Sequence, residues 1–305
     1  MPFVSETALP GDADDFIRPF MIDANGLHGR LVRLGPALDA PLKAHDYPEP
    51  VAVLLGEALA LASGLSAGLK FDGVFSIQAR GDGPVKLLVA DVTTDGTIRG
   101  FADVRDPIPS DAADTPIPRL IGAGRLAFTV DQGPDTEQHQ GIVELQGASL
   151  ADCVHHYFQQ SSQYSAAVKL ACQFDEDRGW RGGALVLQRL PEDENPFERD
   201  RLEEGWRTAL TLMGSCTPAE LCDGQVGADD LLYRLFHEDG VRVFPARPLK
   251  FSCKCSTARM QAAVSMLSDG EREEMTIDGK IVVTCQFCNA EQVFDPKALS
   301  PALAT

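Results

Sequence analysis

Two short cysteine motifs near the C-terminus, Cys253-Lys254-Cys255 and Cys285-Gln286-Phe287-Cys288, decide how this chain is organised. They contain four of its eight cysteines, and 29 residues separate the first motif from the second. Two thiols that are one or two residues apart can bind one edge of a metal ion, and two such pairs supply the four sulfur ligands of a tetrahedral zinc site. The spacing therefore predicts one zinc ion per reduced chain, bound by Cys253, Cys255, Cys285 and Cys288.

The composition is that of an ordinary globular protein, with 44% apolar and 24% charged residues in a chain of 305. The formal net charge is −18. Because nucleic acids and anionic membranes are bound through positive patches, we expect neither as a partner. Residues 1–7 lack the basic and apolar segments of a signal peptide, so a cytoplasmic setting is expected. Thiols stay reduced there, and the cysteines are not interpreted as a disulfide framework.

Turn residues between short apolar runs predict an antiparallel sheet. Strands are expected at Val74–Arg80, Val85–Val92 and Thr97–Val104, separated by Gly and Asp residues that favour hairpin turns. The apolar stretch Val51–Leu69 approaches the length of a membrane span, but it contains Glu57, and a buried core helix is expected instead. Helices beside an antiparallel sheet predict an α+β fold. Further strands are expected at 16–35, Leu126–Asp131, Gly141–Leu145, Ala167–Phe174 and Gly183–Leu190.

A change of composition at Pro191 divides the chain. Residues 192–204 carry nine charges, seven of them acidic. The helical patterns that follow, such as Asp229–Phe236, contain too few apolar residues to form a core of their own. We expect a core domain with packed helices at residues 1–190, a linker with helical tendency at 191–252, for which the family resemblance described below implies metastability, and a small zinc-binding module at 253–305. Asn289, directly after the last cysteine, is suited to a left-handed turn.

The cysteine cluster has a structural and a regulatory interpretation. In the first, zinc only stabilises a small module. In the second, the thiolates react with peroxide, and because each thiol has a partner within two or three residues, the products would be the disulfides Cys253–Cys255 and Cys285–Cys288. Structural zinc contributes on the order of 10–16 kcal/mol to folding, whereas closing each short loop contributes roughly 2 kcal/mol. Oxidation is therefore expected to unfold the module.

Other candidate sites are weaker. Cys153 and Cys172 are expected to be small core side chains, and a redox role for Cys216 and Cys222 in the linker is not favoured. Residues 81–84 (Gly-Asp-Gly-Pro) lack the patterns of a phosphate-binding loop and are interpreted as a turn. The sequence has no GxSxG motif, and no pair of carboxylates stands out, so we expect no enzymatic activity.

Several sequence blocks beside the cysteine motifs resemble those of one known family. The chain resembles the redox-regulated holdase chaperones called 33 kDa chaperonins, or heat-shock protein 33, over most of its length. It departs from their usual pattern in a longer acidic leader, an enlarged segment after Pro191, and Asn289 where a glycine is frequent. The blocks are His45-Asp46-Tyr47-Pro48, Leu69-Lys70-Phe71-Asp72-Gly73, Gln78-Ala79-Arg80-Gly81-Asp82-Gly83-Pro84 and Leu232-Tyr233-Arg234-Leu235-Phe236-His237-Glu238.

The resemblance implies an ATP-independent chaperone rather than an enzyme. In such proteins the reduced, zinc-bound form is inactive, and heat or oxidative stress activates it. Oxidation to the disulfides Cys253–Cys255 and Cys285–Cys288 releases zinc and unfolds the module and the linker. The apolar surface that is exposed then binds unfolding client proteins, and oxidised members of the family form homodimers.

Two other functions remain open at this point. One is a thiol–disulfide oxidoreductase that uses Cys285 and Cys288, which would require the motif to open a helix after a strand. The other is a constitutive zinc-ribbon adaptor, whose metal site would be inert to peroxide.

Overall fold

A computed structural model describes residues 14–108, 116–133, 136, 138–161, 165–189, 196–222 and 225–296. Most of the acidic leader and the first part of the charged run after Pro191 lie outside these residues. The chain divides into two compact units, Met1–Phe251 and Ser252–Thr305. The division falls next to the predicted start of the zinc-binding module. The predicted boundary between core and linker remains a prediction.

The strands are named in chain order. They are β1 (Phe16–Ile22), β2 (Leu27–Leu34), β3 (Val74–Gly81), β4 (Val85–Thr93), β5 (Thr97–Val104), β6 (Gly124–Asp131), β7 (His139–Glu144), β8 (Ser165–Asp175), β9 (Gly179–Arg189), β10 (Val241–Val243), β11 (Arg247–Pro248), β12 (Lys250–Phe251), β13 (Ile281–Thr284) and β14 (Glu291–Phe294).

The helices are named in the same way. They are α1 (Pro36–His45), α2 (Glu49–Ser66), α3 (Ile117–Leu120), α4 (Leu150–Ser161), α5 (Pro196–Ser215), α6 (Pro218–Cys222), α7 (Ala228–Phe236), α8 (Thr257–Ser265) and α9 (Asp269–Glu274). Short 3-10 turns follow β1 and α7, at Asp23–Asn25 and His237–Asp239.

The first unit contains two six-stranded sheets. The first has the strand order β10-β1-β2-β9-β8, with β11 also paired to β1, and every pairing in it is antiparallel. The second has the order β12-β5-β4-β3-β6-β7 and is antiparallel except for the pair of β12 with β5. The predicted strands of both sheets are present, and the α+β prediction is confirmed.

Helix α2 is the centre of the first unit, because it contacts strands of both sheets. Leu55, Ala58 and Leu59 on this helix are completely buried. Among the helices of the described residues, α2 is the one that is long and apolar enough to cross a membrane. However, 78% of its apolar stretch is buried inside the fold, so the prediction of a core helix is confirmed.

The first sheet is buried on both faces. Ile17 and Val32 belong to the core cluster that contains α2, whereas their neighbours Phe16 and Leu31 belong to a second cluster on the opposite face. Side chains alternate between the faces of a strand, so nearly continuous apolar strands are what a sheet covered on both sides requires. We call the opposite face the linker-facing surface, because it is covered by α5, α6 and α7.

The described part of the predicted linker is mostly helical, as expected. Trp206 and Met213 of α5, Leu221 of α6, and Leu231 and Phe236 of α7 are buried against the linker-facing surface. The chain then returns to the sheets, since β10 and β11 pair with β1, and β12 pairs with β5. In this structure the linker is therefore part of the first unit.

Candidate metal centre

The first cysteine motif lies in an extended segment that ends at helix α8. The Oγ of Ser256 accepts a hydrogen bond from the backbone N–H of Arg259 (3.2 Å) and so caps this helix. The Arg259 guanidinium donates to the carbonyl of Lys254 (2.8 Å), which fixes the middle of the motif to the helix. The N–H of Cys255 donates to the Sγ of Cys253 (3.4 Å), an interaction that favours the thiolate form of Cys253.

The second motif forms a tight turn between strands β13 and β14. The N–H of Cys285 donates to the carbonyl of Ala290 (2.9 Å), and the N–H of Asn289 donates to the carbonyl of Cys285 (2.8 Å). Asn289 has a φ of 56°, so the left-handed conformation predicted for it is confirmed. The motif does not open a helix after a strand, which is the context expected of a thiol–disulfide oxidoreductase.

The two motifs bring four half-buried sulfur atoms together. All four Sγ atoms lie within 4.8 Å of one another. The Sγ atoms of Cys253 and Cys285 are 3.5 Å apart, and those of Cys255 and Cys288 are 3.4 Å apart, so close contacts join one motif to the other. A metal ion about 2.3 Å from each sulfur would place the ligands about 3.8 Å from one another at the corners of a tetrahedron. The donor set and its size therefore fit zinc.

Neighbouring thiols influence one another in this cluster. Burial raises the pKa of Cys253, and the pKa of Cys255 is raised by its hydrogen bonds to Cys288 and then to Cys253. Burial also acts to raise the pKa of Cys285, but hydrogen bonds from the N–H groups of Phe287 and Cys288 help to outweigh it, and the pKa is lowered. A bound cation offsets the mutual repulsion of four thiolates.

The apolar cluster beside the cysteines is small. Cys255 and Cys285 pack against it, and its buried members are Met260, Val264, Ile281 and Phe294. A hydrogen bond from Thr257 to Gln292 (3.0 Å) joins α8 to the hairpin. A module of this size cannot supply a large core, and small domains of this kind depend on cross-links or bound metals.

The other four cysteines are ordinary interior side chains. Cys153 is completely buried in the core around α2, and Cys172 packs against the same core from β8. Cys216 and Cys222 are buried at the linker-facing surface. Burial raises the pKa values of Cys153, Cys172 and Cys216, which keeps these thiols protonated and unreactive. The core role predicted for Cys153 is confirmed, whereas Cys172 is half-buried and packs against the edge of that core.

The segment at residues 81–84 is the turn that the sequence predicts. The N–H of Gly83 donates to the carbonyl of Ile121 (2.7 Å), and the Asp82 carboxylate accepts from the N–H of Ala123 (2.8 Å). A Cβ atom at Gly83 would lie 2.5 Å from the backbone of Ile121, so the close approach of the two chain segments requires glycine.

Two buried arginines at the linker-facing surface were not identified from the sequence. Arg18 of β1 and Arg33 of β2 are each only 1% exposed. The sequence carries a signal for Arg18, because it is the one charged residue of an apolar strand, but Arg33 shares β2 with His28 and Arg30 and does not stand out. Both contact the helices that cover the sheet.

Comparison with known proteins agrees with this architecture. The sequence profile of the Hsp33 protein family matches residues 15–295. The chain belongs to the Hsp33 family. The 33 kDa chaperonin of Caulobacter vibrioides (strain NA1000 / CB15N) is 41% identical over 295 residues, which cover 94% of this chain and 96% of that protein. The 33 kDa chaperonin of Pseudomonas putida (strain GB-1) is 35% identical over 293 residues, covering 95% and 94% of the two chains.

A solved Hsp33 structure has the same fold. The crystal structure of the 33 kDa chaperonin from Thermotoga maritima superposes with a TM-score of 0.80 over 94% of this chain and 97% of that one, at 23% identity. Membership of the Hsp33 family makes the chain a chaperone of the stress response, and its partners are unfolded proteins. Its relatives are named chaperonins, which fits the expectation that it is not an enzyme. The cysteine cluster is consistent with metal binding and redox chemistry.

Proposed function

We propose that this Hsp33 protein is a cytoplasmic, ATP-independent holdase that is switched on by oxidation. In the reduced state Cys253, Cys255, Cys285 and Cys288 hold one zinc ion, and the chaperone is inactive. The observation that carries the proposal is the convergence of four sulfurs within 4.8 Å in a unit whose described part, residues 252–296, has a small buried apolar cluster. Such a unit depends on its metal, and a metal held by thiolates depends on the redox state.

The switching step consumes the thiols in pairs. Within each motif two zinc-bound thiolates lose one electron each as the S–S bond forms, and one peroxide molecule takes these two electrons and two protons from the solvent to become two waters. The new bonds are Cys253–Cys255 and Cys285–Cys288, so the sulfurs can no longer serve as metal ligands and zinc is released. Neither disulfide joins one motif to the other, and the cross-link between residues 253 and 288 is lost. The module, residues 253–305, then unfolds.

Exposure of apolar surface follows from release of the linker. We assign residues 1–190 to the core, which remains folded, and residues 191–252 to the linker. Residue 252 is all that separates β12 from Cys253, so loss of order in the module reaches the linker along the chain. When α5, α6 and α7 leave the linker-facing surface, the apolar side chains of the helices and of the sheet become available to client proteins. Two oxidised chains form a homodimer.

The test measures metal, thiols and chaperone activity on the same samples. The reduced and the peroxide-treated protein are compared for zinc content, for free thiols, and for suppression of the heat-induced aggregation of an unrelated enzyme. We expect loss of four thiols and one zinc ion per chain together with the appearance of suppression. The variant Cys153→Ala serves as a control, because that cysteine lies outside the cluster and its removal should leave the response intact.

Each contrary result points to a different function. Equal suppression by the reduced and the oxidised protein contradicts the switch. A zinc site that is inert to peroxide indicates a constitutive adaptor. Catalytic turnover of a dithiol substrate indicates an oxidoreductase.

A further inference from the structure

The linker-facing surface combines apolar side chains with two buried positive charges. Its strands contribute Phe16, Phe20 and Leu31 to the cluster that the helices cover. Arg18 and Arg33 lie on the same face, since side chains two residues apart in a strand point to the same side. The pairing of Phe16 with Arg33 and of Arg18 with Leu31 makes the two arginines diagonal neighbours on adjacent strands.

Arg18 is held by the first turn of helix α7. Its Nε lies 2.9 Å from Oδ1 of Asp229, and its Nη2 donates to Oδ2 of the same carboxylate (3.1 Å). Its Nη1 donates to the carbonyl of Phe244 (3.0 Å). The carboxylate therefore pairs with the guanidinium through one charge-assisted hydrogen bond, from Nη2 to Oδ2, and a close ion-pair contact at Nε. One turn further along α7, Leu232 is completely buried in the same cluster.

In two other contacts at this surface, an arginine of the sheet also binds an oxygen atom of a covering helix. Arg33 donates to the carbonyl of Glu220 in α6 (3.0 Å). Arg189 at the end of β9 pairs with Glu203 of α5 (2.8 Å). In each of these contacts the sheet supplies the positive group and the helix supplies an oxygen acceptor.

We propose that the uncovered linker-facing surface binds client segments that resemble α7, in which a carboxylate precedes apolar side chains at helical spacing. The inference rests on the proposed release of the linker. The covering helices supply the Asp229 carboxylate to Arg18 and the Glu220 carbonyl to Arg33, and a purely apolar segment in their place would supply neither acceptor. That arrangement is strongly unfavourable, whereas a segment with a carboxylate at the position of Asp229 replaces the missing partner. The client class is therefore acidic amphipathic segments.

Peptides with the sequence of the linker test the preference for acidic segments on a protein that carries no substitution. A fluorescent peptide of residues 225–240 is titrated with the oxidised full-length chain, and binding is followed by anisotropy. We compare it with the same peptide carrying Asp229→Asn or Asp230→Asn. The two variants change the same charge in the same turn, but Asp229 contacts Arg18 whereas Asp230 is exposed. We expect Asp229→Asn to weaken binding at least about tenfold and Asp230→Asn to change it less than about twofold.

Variants of the chaperone test whether Arg18 is the group that binds the Asp229 carboxylate of the peptide. Arg18→Gln in the oxidised chain should remove the difference between the two peptides. Arg30→Gln should retain it, because Arg30 is in the same strand as Arg33 but on the opposite face of the sheet, where it donates to Gln188 (3.1 Å). Added salt should weaken the parent peptide more than the Asp229→Asn peptide, since screening acts on charge pairs.

The outcomes separate this inference from the proposed function. If the oxidised chain suppresses aggregation of an enzyme but binds the Asp229→Asn and Asp230→Asn peptides equally, or binds no peptide, the acidic preference is wrong and the holdase proposal stands. If the oxidised chain does not suppress aggregation, the holdase proposal itself is wrong. Because the peptide pair is measured on the natural protein, misfolding of an arginine variant cannot decide the result.

Discussion

Different interactions stabilise the two units, Met1–Phe251 and Ser252–Thr305. The first unit has two clusters of buried side chains, one around α2 and one at the linker-facing surface. Among its described residues, 252–296, the second has four buried apolar side chains and four cysteines. A core of many apolar contacts is insensitive to the redox state, whereas a metal bound by thiolates is not. In the proposed switch, oxidation therefore removes the fold of the second unit and frees the linker, whereas the core around α2 stays folded.

Removing one sulfur should have the largest effect, which falls on the second unit and the linker and spares the core around α2. Cys285→Ser is expected to abolish tight metal binding and with it about 10 kcal/mol of folding free energy. Hydrogen exchange should become fast in α8, β13 and β14 and remain slow in α2 and β9. Cys153→Ala is the control, since it should leave the zinc content unchanged. Undiminished protection of β13 and β14 in Cys285→Ser would show that the module folds without its metal.

Shortening an anchor of the linker should weaken only the linker-facing surface. Phe236 is 1% exposed, and its ring stacks on that of Phe20 with centroids 5.7 Å apart. Phe236→Ala should cost about 3–5 kcal/mol, speed hydrogen exchange in α7 and give the reduced protein some holdase activity. Tyr233→Ala in the same helix is the matched control, because Tyr233 is 50% exposed. Similar behaviour of the two variants would contradict the proposed anchoring.

A half-buried carboxyl in α2 should make the first unit sensitive to pH. Glu57 lies at a cavity of about 700 Å³ that Glu49, Cys172 and Glu176 also line. Burial raises the pKa of Glu57 from 4.5 to about 7. The unfolded chain therefore loses this proton near pH 4.5 and the folded chain near pH 7, so stability falls as the pH rises between these values. The loss reaches about 3 kcal/mol above pH 7.

Substitution of that carboxyl provides the measurement. Denaturant unfolding of reduced Glu57→Gln should lack this decline, and the variant should exceed the natural protein in stability by a growing margin from pH 5 to pH 7.5. Glu176→Gln is the control, because Glu176 is exposed at the same cavity. If the difference in unfolding free energy between Glu57→Gln and the natural protein stayed constant across this range, the pKa of Glu57 would not be raised in the folded protein.

The smallest expected effect concerns the turn after the last cysteine. Asn289 has a φ of 56°, and most L-residues are destabilised by roughly 1–2 kcal/mol in this conformation. Asn289→Ala should therefore weaken zinc binding about tenfold in competition with a chelator, whereas Asn289→Gly should bind at least as tightly as the natural protein. Equal affinities of the alanine and glycine variants would mean that the backbone of the turn does not limit metal binding.

Regular local patterns account for the parts of the fold that could be predicted. β3, β4 and β5 are bounded by Gly and Asp turns, and α2 is a long apolar run, so each is visible within a short window of sequence. Helix α1 was not predicted, because Pro36 and Pro41 lie in it. Its start is held by the Asp15 carboxylate, which accepts hydrogen bonds from the N–H groups of Gly35 (2.8 Å) and Ala37 (3.0 Å). That partner is 20 residues away in the chain.

The metal centre could likewise be predicted from local sequence, whereas the contacts of the linker-facing surface depend on residues that are distant in the chain. The cysteine motifs are recognisable in the sequence, because a metal needs ligands of one type at short spacing, and coordination then brings the two motifs together. The pairing of Arg18 with Asp229, 211 residues apart, follows no local rule. Only the packing of α7 on the first sheet decided that a buried arginine meets a carboxylate, because the low polarity of the interior requires each buried charge to have a partner.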